Sequence, residues 1–317
     1  MDEIIVADGL VKQFDAVMAV ADISFCVRRG EMLGFLGPNG AGKTTTINML
    51  TGLARPDAGA IHIAGVDCAA NPKAAQYHIG VVPDESNLYP ELTGFENLCF
   101  CAALYGMPKQ VRQQRARELL TTFGLVKASD RKFGGYSKGM KRKLTIAAGI
   151  IHRPKILFLD EPTMGLDVAG ARQLRQLIAD LHGAGTTIFL TTHYIEEAER
   201  LCDRVAFIVS GRIVKTGSIP ELLAPIQGKH GMLLVCDGHD TEATQTLAEA
   251  FPEMTFTRQD KDTLRVEADS PILVGPLARS LEAHHVEILE ARRVRPSLED
   301  VFVDITGIEA KAMSDKR

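Results

Sequence analysis

The sequence predicts an α/β fold followed by a smaller α+β unit, and three observations lead there. Residues 1–218 alternate short β-branched runs with helical stretches, the pattern of strands covered by helices. Between residues 84 and 152 the strand signal vanishes, and helical stretches broken at Gly106-Met107-Pro108 and Phe133-Gly134-Gly135 replace it. After 220–228 the strand and helix alternation restarts. The expected layout is a first domain over 1–218 with a helical subdomain at about 85–152, and a linker at 219–228. A C-terminal α+β domain over 229–307 and a flexible polar tail at 308–317 follow.

In the first domain, strands are expected at 4–7, 23–27, 32–36, 60–63, 79–82, 156–159, 187–191, 204–209 and 212–216, the last two flanking a Ser210-Gly211 hairpin turn. In the second, strands at 232–236, 254–257, 263–267 and 286–292 alternate with helices at 241–250 and 271–284, before a last helix at 297–305. That β-α-β-β-α-β order is the one of a small ferredoxin-like unit.

Composition narrows the function. A chain of 317 residues has room for two domains of ordinary size, and 36 Lys+Arg against 40 Asp+Glu leave a net charge of −4. Basic steering toward nucleic acid is not expected. The start Met1-Asp2-Glu3-Ile4-Ile5 is acidic where a secretory leader is basic, and no apolar run approaches the roughly 18 residues of a membrane span. The expected location is cytoplasmic, so any membrane role falls to a partner chain. Cys26, Cys68, Cys99, Cys101, Cys202 and Cys236 are scattered without CxxC spacing and read as reduced thiols.

The strongest chemical signal is Gly37-Pro38-Asn39-Gly40-Ala41-Gly42-Lys43-Thr44, which fits GxxxxGK[ST] between the apolar run 32–36 and a helix-like stretch 45–50. Glycines let the backbone curl so that successive N–H groups face phosphate oxygens, and the following helix adds its positive end. Lys43 brings an ammonium to the β- and γ-phosphates, and the Thr44 hydroxyl is a hard oxygen ligand for Mg²⁺. With Thr45, these residues form the expected ATP-binding set.

Ile156-Leu157-Phe158-Leu159-Asp160-Glu161-Pro162 reads as a buried parallel strand ending in two carboxylates, at the strand end where ligands of open α/β sheets bind. Asp160 is the expected partner of the Mg²⁺ held by Thr44, and Glu161 is placed to orient and deprotonate an attacking water. Thr191-Thr192-His193 closes another apolar run, so His193 is expected in the same crevice, holding the γ-phosphate or the water.

In this order the motifs resemble the nucleotide-binding subunit of ATP-binding cassette (ABC) transporters over residues 1–218. The discriminating piece is Tyr136-Ser137-Lys138-Gly139-Met140-Lys141-Arg142-Lys143-Leu144, similar to the family signature Leu-Ser-Gly-Gly-Gln with Lys138 and Met140 as departures. Ser137 and the Gly139 amide stand at the start of the helix that follows, whose end presents donors and a positive dipole to an anion. The resemblance implies a P-loop NTPase cassette: a RecA-like core, an antiparallel β subdomain and a helical subdomain. It implies a homodimer in which Ser137, Lys138, Gly139 and Met140 face the γ-phosphate held by the opposite copy. It also implies that Phe14 stacks on adenine, with a core phenylalanine as the competing reading, and that Gly165-Leu166-Asp167 is the D-loop that links the two sites.

Gly80-Val81-Val82-Pro83-Asp84-Glu85 takes the place of the family's Q-loop, with Asp84 where Gln is usual; an oxygen ligand is retained and a charge added. The stretch 86–104 corresponds to the groove that receives a cytoplasmic helix of an integral membrane permease. Arg295-Pro296-Ser297-Leu298-Glu299-Asp300-Val301-Phe302 resembles a C-terminal element of exporters whose permease is a separate chain, while Ser297 with Asp300 also reads as a plain helix start. The implied function is an ATPase driving drug, antibiotic or polysaccharide efflux from the inner face of the membrane. A non-transport ABC ATPase and a non-hydrolytic ATP-dependent regulatory cassette are the alternatives.

Overall fold

The computed structural model of the protein describes residues 2–226, 228, 230–237, 241–294, 296–308 and 313. β1 (Glu3–Phe14) and β2 (Val17–Arg28) form an antiparallel hairpin. Ile4, Ile5, Ala7 and Leu10 point into the core, whereas Gln13 and Phe14 are exposed. The strands outrun the 4–7 and 23–27 expectations because the outer half of the hairpin buries little and carries no apolar alternation.

β3 (Met32–Leu36) is buried at every position, and after the glycine-rich loop the chain enters α1 (Lys43–Leu50). β4 (Ala58–Ile63) and the two-residue β5 (Val66–Asp67), too short for any periodic signal, complete a sheet of order β2-β1-β4-β5. α2 (Pro72–Gln76) leads into β6 (Ile79–Val82).

Three helices then fill the strandless stretch: α3 (Gly94–Leu104), α4 (Lys109–Thr122) and α5 (Lys138–Gly149). α3 starts with a capping box, in which the Thr93 hydroxyl accepts from the Glu96 N–H and the Glu96 carboxylate accepts from the Thr93 N–H.

β7 (Ile156–Asp160), α6 (Val168–Gly183), β8 (Thr187–Thr192), α7 (Ile195–Leu201), β9 (Arg204–Val209) and β10 (Arg212–Ser218) complete a six-stranded sheet of order β10-β9-β3-β8-β7-β6. It is parallel except for the β9–β10 hairpin, where Ser210 (φ 49°) and Gly211 (φ 76°) both take left-handed backbone. Its core is aromatic: the Phe35 and Phe158 rings lie 4.8 and 5.5 Å from Phe189, and all three are fully buried. Truncating one such ring costs roughly 3–5 kcal/mol, so this cluster is the anchor of the sheet that carries the site.

The backbone divides into two compact units, Met1–Ile219 with Ile305–Arg317, and Pro220–Asp304. The stretch read as a linker holds a short helix, α8 (Ile219–Leu223), because Pro220 in its first turn is compatible with helix entry. The second unit contains β11 (His230–Asp237), α9 (Thr241–Ala250), β12 (Met254–Arg258), β13 (Thr263–Ala268), α10 (Val274–Glu282) and β14 (Glu287–Val294). Its strands pair antiparallel throughout in the order β12-β13-β11-β14. Met232, Leu234, Leu264, Val266, Leu277 and Leu281 belong to a core of its own.

α11 (Leu298–Thr306) starts as the Ser297/Asp300 pattern predicts: the Ser297 N–H donates to Asp300 Oδ2 at 2.9 Å. Arg295 lies outside the described residues, as do 309–312 and 314–317 of the tail. Met313 differs from the frayed tail expected there: it is buried, and its carbonyl accepts from the Asn39 N–H at 3.2 Å. Among the described residues, no helix is long and apolar enough to cross a membrane.

Candidate nucleotide-binding site

Strand register builds the site. Leu36 of β3 pairs with Thr192 of β8, Asp160 of β7 with Thr191 of β8, and Val82 of β6 with Leu159 of β7. The four strands therefore end side by side, and the residues just beyond them, Gly37, Asp84, Glu161 and His193, emerge along one edge.

The phosphate loop curls through Gly40 (φ 78°) and Gly42 (φ 101°), backbone that an L side chain resists. At Gly42 the crowding is also steric, because an added Cβ would overlap the Ala19 carbonyl oxygen. No side chain caps the N-terminus of α1, which leaves its first amides to an anion. Thr44 is exposed and Thr45 half-buried.

Lys43 is 6% exposed; its Nζ donates to the Gly37 and Pro38 carbonyls at 2.8 and 3.2 Å and pairs with Glu161 Oε1 at 3.1 Å. Glu161 takes left-handed backbone (φ 44°), which turns its carboxylate back over the loop. Its other oxygen meets His193 Nδ1 at 2.8 Å and accepts from the His193 N–H at 3.3 Å. A carboxylate only accepts, so Nδ1 carries the hydrogen and Nε2 is left as the ring's second polar atom. Burial acts to push the Glu161 carboxyl up, but the hydrogen bond from His193 and the charge of Lys43 outweigh it and hold the group below its ordinary range.

Asp160 behaves oppositely. Burial pushes it up, the Thr191 and Thr44 hydroxyls oppose that by bonding its carboxylate, and the neighbouring Glu161 and Asp84 charges add repulsion. Thr44, Asp160 and Asp84 thus offer hard oxygens crowded with negative charge, and a divalent cation such as Mg²⁺ fits that donor set.

The remaining expected residues are partly gathered here. Asp84 is exposed at the end of β6 and close enough to act on Asp160. Phe14 is 49% exposed with Lys12 Nζ 5.3 Å from its ring centre, which removes the core reading. Ser137 caps α5 by accepting from the Met140 N–H at 3.3 Å; Ser137 and Lys138 are exposed, and Gly139 and Met140 are half-buried. Lys138 and the Gly165-Leu166-Asp167 loop meet within one chain: a Cβ at Gly165 (φ 67°) would overlap Lys138 Nζ. Asp167 itself is the N-cap of α6, its carboxylate accepting from the Gly170 N–H at 2.7 Å.

The stretch 86–104 is mixed, with Leu88 and Leu98 buried and Tyr89, Phe100 and Leu104 exposed. A cleft of about 400 Å³ lies further along, lined by Tyr77, Tyr105, Met107, Val111, His152 and Arg153 among others.

Three residues of the site were not anticipated. Thr191 bonds Asp160. Glu197, 2% exposed, is pushed up by burial while the Thr192 and Thr163 hydroxyls act against that. Arg142, 7% exposed, places its guanidinium among four main-chain carbonyls. The legible signal was a charged residue on a buried helix face: Thr145 and Ile146, three and four positions after Arg142, are buried with it.

Residues 20–164 match the family described as ABC transporter. The chain is 34% identical over 304 residues to the linearmycin resistance ATP-binding protein of Bacillus subtilis, covering 95% of this chain and 97% of that protein. It is 37% identical over 314 residues to the Nod factor export ATP-binding protein I of Ralstonia nicotianae, covering 97% and 95%. A bacterial ABC transporter cassette solved as a dimer superposes with a TM-score of 0.62 at 26% identity, covering 68% of this chain and 98% of that one. This chain belongs to the ABC transporter family, as one of its ATP-binding subunits.

Proposed function

We propose that the chain binds Mg·ATP on the 37–45 loop, pairs with a second copy, and hydrolyses ATP to drive export through a separate permease at the membrane's cytoplasmic face. The observation that carries this is Glu161 held between Lys43 and His193 at the mouth of the loop, at 3.1 and 2.8 Å. A carboxylate kept ionised there can take the proton of an attacking water. Lys43 and the α1 amides answer the phosphates, and the His193 ring is within reach of the same volume.

Thr44, Asp160 and Asp84 would hold Mg²⁺, which supplies charge neutralisation at the transferring phosphoryl group. Ser137 and Lys138, exposed at the start of α5, support the paired arrangement, since they can be reached by an anion from outside the chain. Export is supported by the names of the relatives, which concern linearmycin resistance and Nod factor export. The stretch 86–104, with Tyr89, Phe100 and Leu104 exposed, is the proposed seat of the permease's cytoplasmic helix. Phosphate release from Mg·ATP by the purified chain tests the reading: wild type turns over and Glu161→Gln does not. Equal release from both would overturn the assignment.

A further inference from the structure

Among the buried charged side chains, Arg142 has no part in the chemistry described above, yet it touches the end of β7 and the segment just beyond β6, two of the strands that build the site. Its Nε donates to the Pro162 carbonyl at 2.8 Å and its Nη2 to the Asp160 carbonyl at 2.5 Å. Nη1 donates to the carbonyls of Pro83 and of Asp84, the latter at 2.9 Å. One guanidinium thus bridges the segment beyond β6, the Q-loop position, and the segment at the end of β7 that carries Asp160 and Glu161. Its own backbone belongs to neither: it sits in α5, five residues after the Ser137 cap.

The geometry makes this link stiff. Guanidinium is planar, with its N–H groups in a fixed fork, so a rotation of α5 cannot be absorbed at one bond without straining the others. Five helical residues span only about 7.5 Å, so the Ser137 end of α5 and the Arg142 backbone move as one body, which the buried arginine stem joins to the fork. Carbonyls bring dipoles but no formal charge. Burial pulls the Arg142 pKa down, opposed by Asp84, Asp160, Glu197 and Glu161.

We propose that Arg142 is a positioning residue that makes the orientation of α5, and with it the 137–140 segment at its start, one mechanical variable with the placement of Asp160, Glu161 and Asp84. Nucleotide seated on the phosphate loop is then registered at the helix end through main-chain carbonyls, whatever side chain stands at position 84. This rests on the nucleotide-binding reading above.

The test uses the full chain, wild type and Arg142→Lys, which keeps the charge and loses the fork. Hydrogen exchange read by mass spectrometry is compared with and without ADP, which lacks the γ-phosphate expected to bridge two copies. In the wild type, ADP slows exchange in both 156–163 and 138–149. In Arg142→Lys, 156–163 still responds and 138–149 exchanges at its nucleotide-free rate. ADP affinity stays within about threefold, and kcat for ATP falls on the order of 10²-fold, the scale of a 1 Å misplacement transmitted from outside the chemistry.

Persistent ADP protection of 138–149 in the variant, or wild-type kcat, overturns the proposal, as does a loss of ADP affinity that parallels the loss of kcat. Arg142→Gln repeats the comparison if the lysine variant fails to fold. Absence of any ADP binding by the wild type would sink the nucleotide reading itself, a distinguishable failure.

Discussion

Replacing Glu161 by Gln removes one charge from a buried pair and should act on two properties at once. Lys43 Nζ and Glu161 Oε1 are 3.1 Å apart, with side chains 6% and 8% exposed. At an effective dielectric of about 20 their attraction is about 5 kcal/mol before desolvation is charged against it. Removing one member of such a pair costs roughly 3–5 kcal/mol. The amide oxygen of Gln can accept from Lys43, which leaves a net loss of about 2 kcal/mol in the nucleotide-free protein.

Bound phosphate gives Lys43 a new anion, so the loss falls on the free state alone and nucleotide affinity rises by up to about 30-fold. ADP is the informative ligand, because pairing of two copies across the γ-phosphate does not enter its binding. Loss of the general base lowers kcat by about 10²–10⁴-fold at the same time.

The pH dependence follows from the sign of the shift. Glu161 is held below its ordinary range in the folded chain, so its stabilising contribution is complete above the unfolded value of about 4.3. It is lost as pH falls through the lower folded value. The Gln variant lacks that portion of the acid transition. Isothermal titration with ADP and denaturant midpoints measured against pH check all of this. Unchanged or weaker ADP binding, with stability also unchanged, would refute the view that Glu161 and phosphate compete for Lys43.

Three further outcomes are expected. Thr191→Val removes a donor to Asp160, whose carboxyl burial already pushes up, so the acidic limb of the kcat/KM profile moves to higher pH and stability falls by about 1–3 kcal/mol; an unmoved limb argues against Asp160 as the titrating group. Gly42→Ala meets both a φ of 101° and the Ala19 carbonyl, so nucleotide binding measured by fluorescent ATP is abolished; retained affinity would mean the loop tolerates a different curl. Phe14→Ala leaves the thermal midpoint nearly unchanged, because the ring is half exposed, and weakens adenine nucleotides by about 1–3 kcal/mol while inorganic triphosphate is unaffected; equal effects on both ligands would deny the stacking role.

Motifs whose chemistry depends on neighbours in the chain were legible at once. The glycine loop followed by Lys43 and Thr44, and the apolar strand ending in Asp160 and Glu161, need only a strand, a turn and a helix start, all of which are local. The helical insertion was equally readable, since it is the loss of one periodicity and the onset of another. Strand ends fared worse where burial was partial: the outer hairpin of β1 and β2 and the two-residue β5 carry too little apolar pattern to read. The frayed tail was misjudged at Met313, because a single apolar residue among polar ones says nothing about what it meets 274 positions away, at Asn39.

By itself, then, the sequence determined which atoms can do chemistry and on what kind of backbone they sit. Tertiary structure alone decided their pairing: Glu161 with both Lys43 and His193, Thr191 with Asp160, and Arg142 across the ends of β6 and β7. The reason is the parallel sheet. Its crossovers separate neighbouring strands by tens of residues, so the register that brings positions 37, 84, 161 and 193 to one edge is set by packing between distant segments and by no local signal.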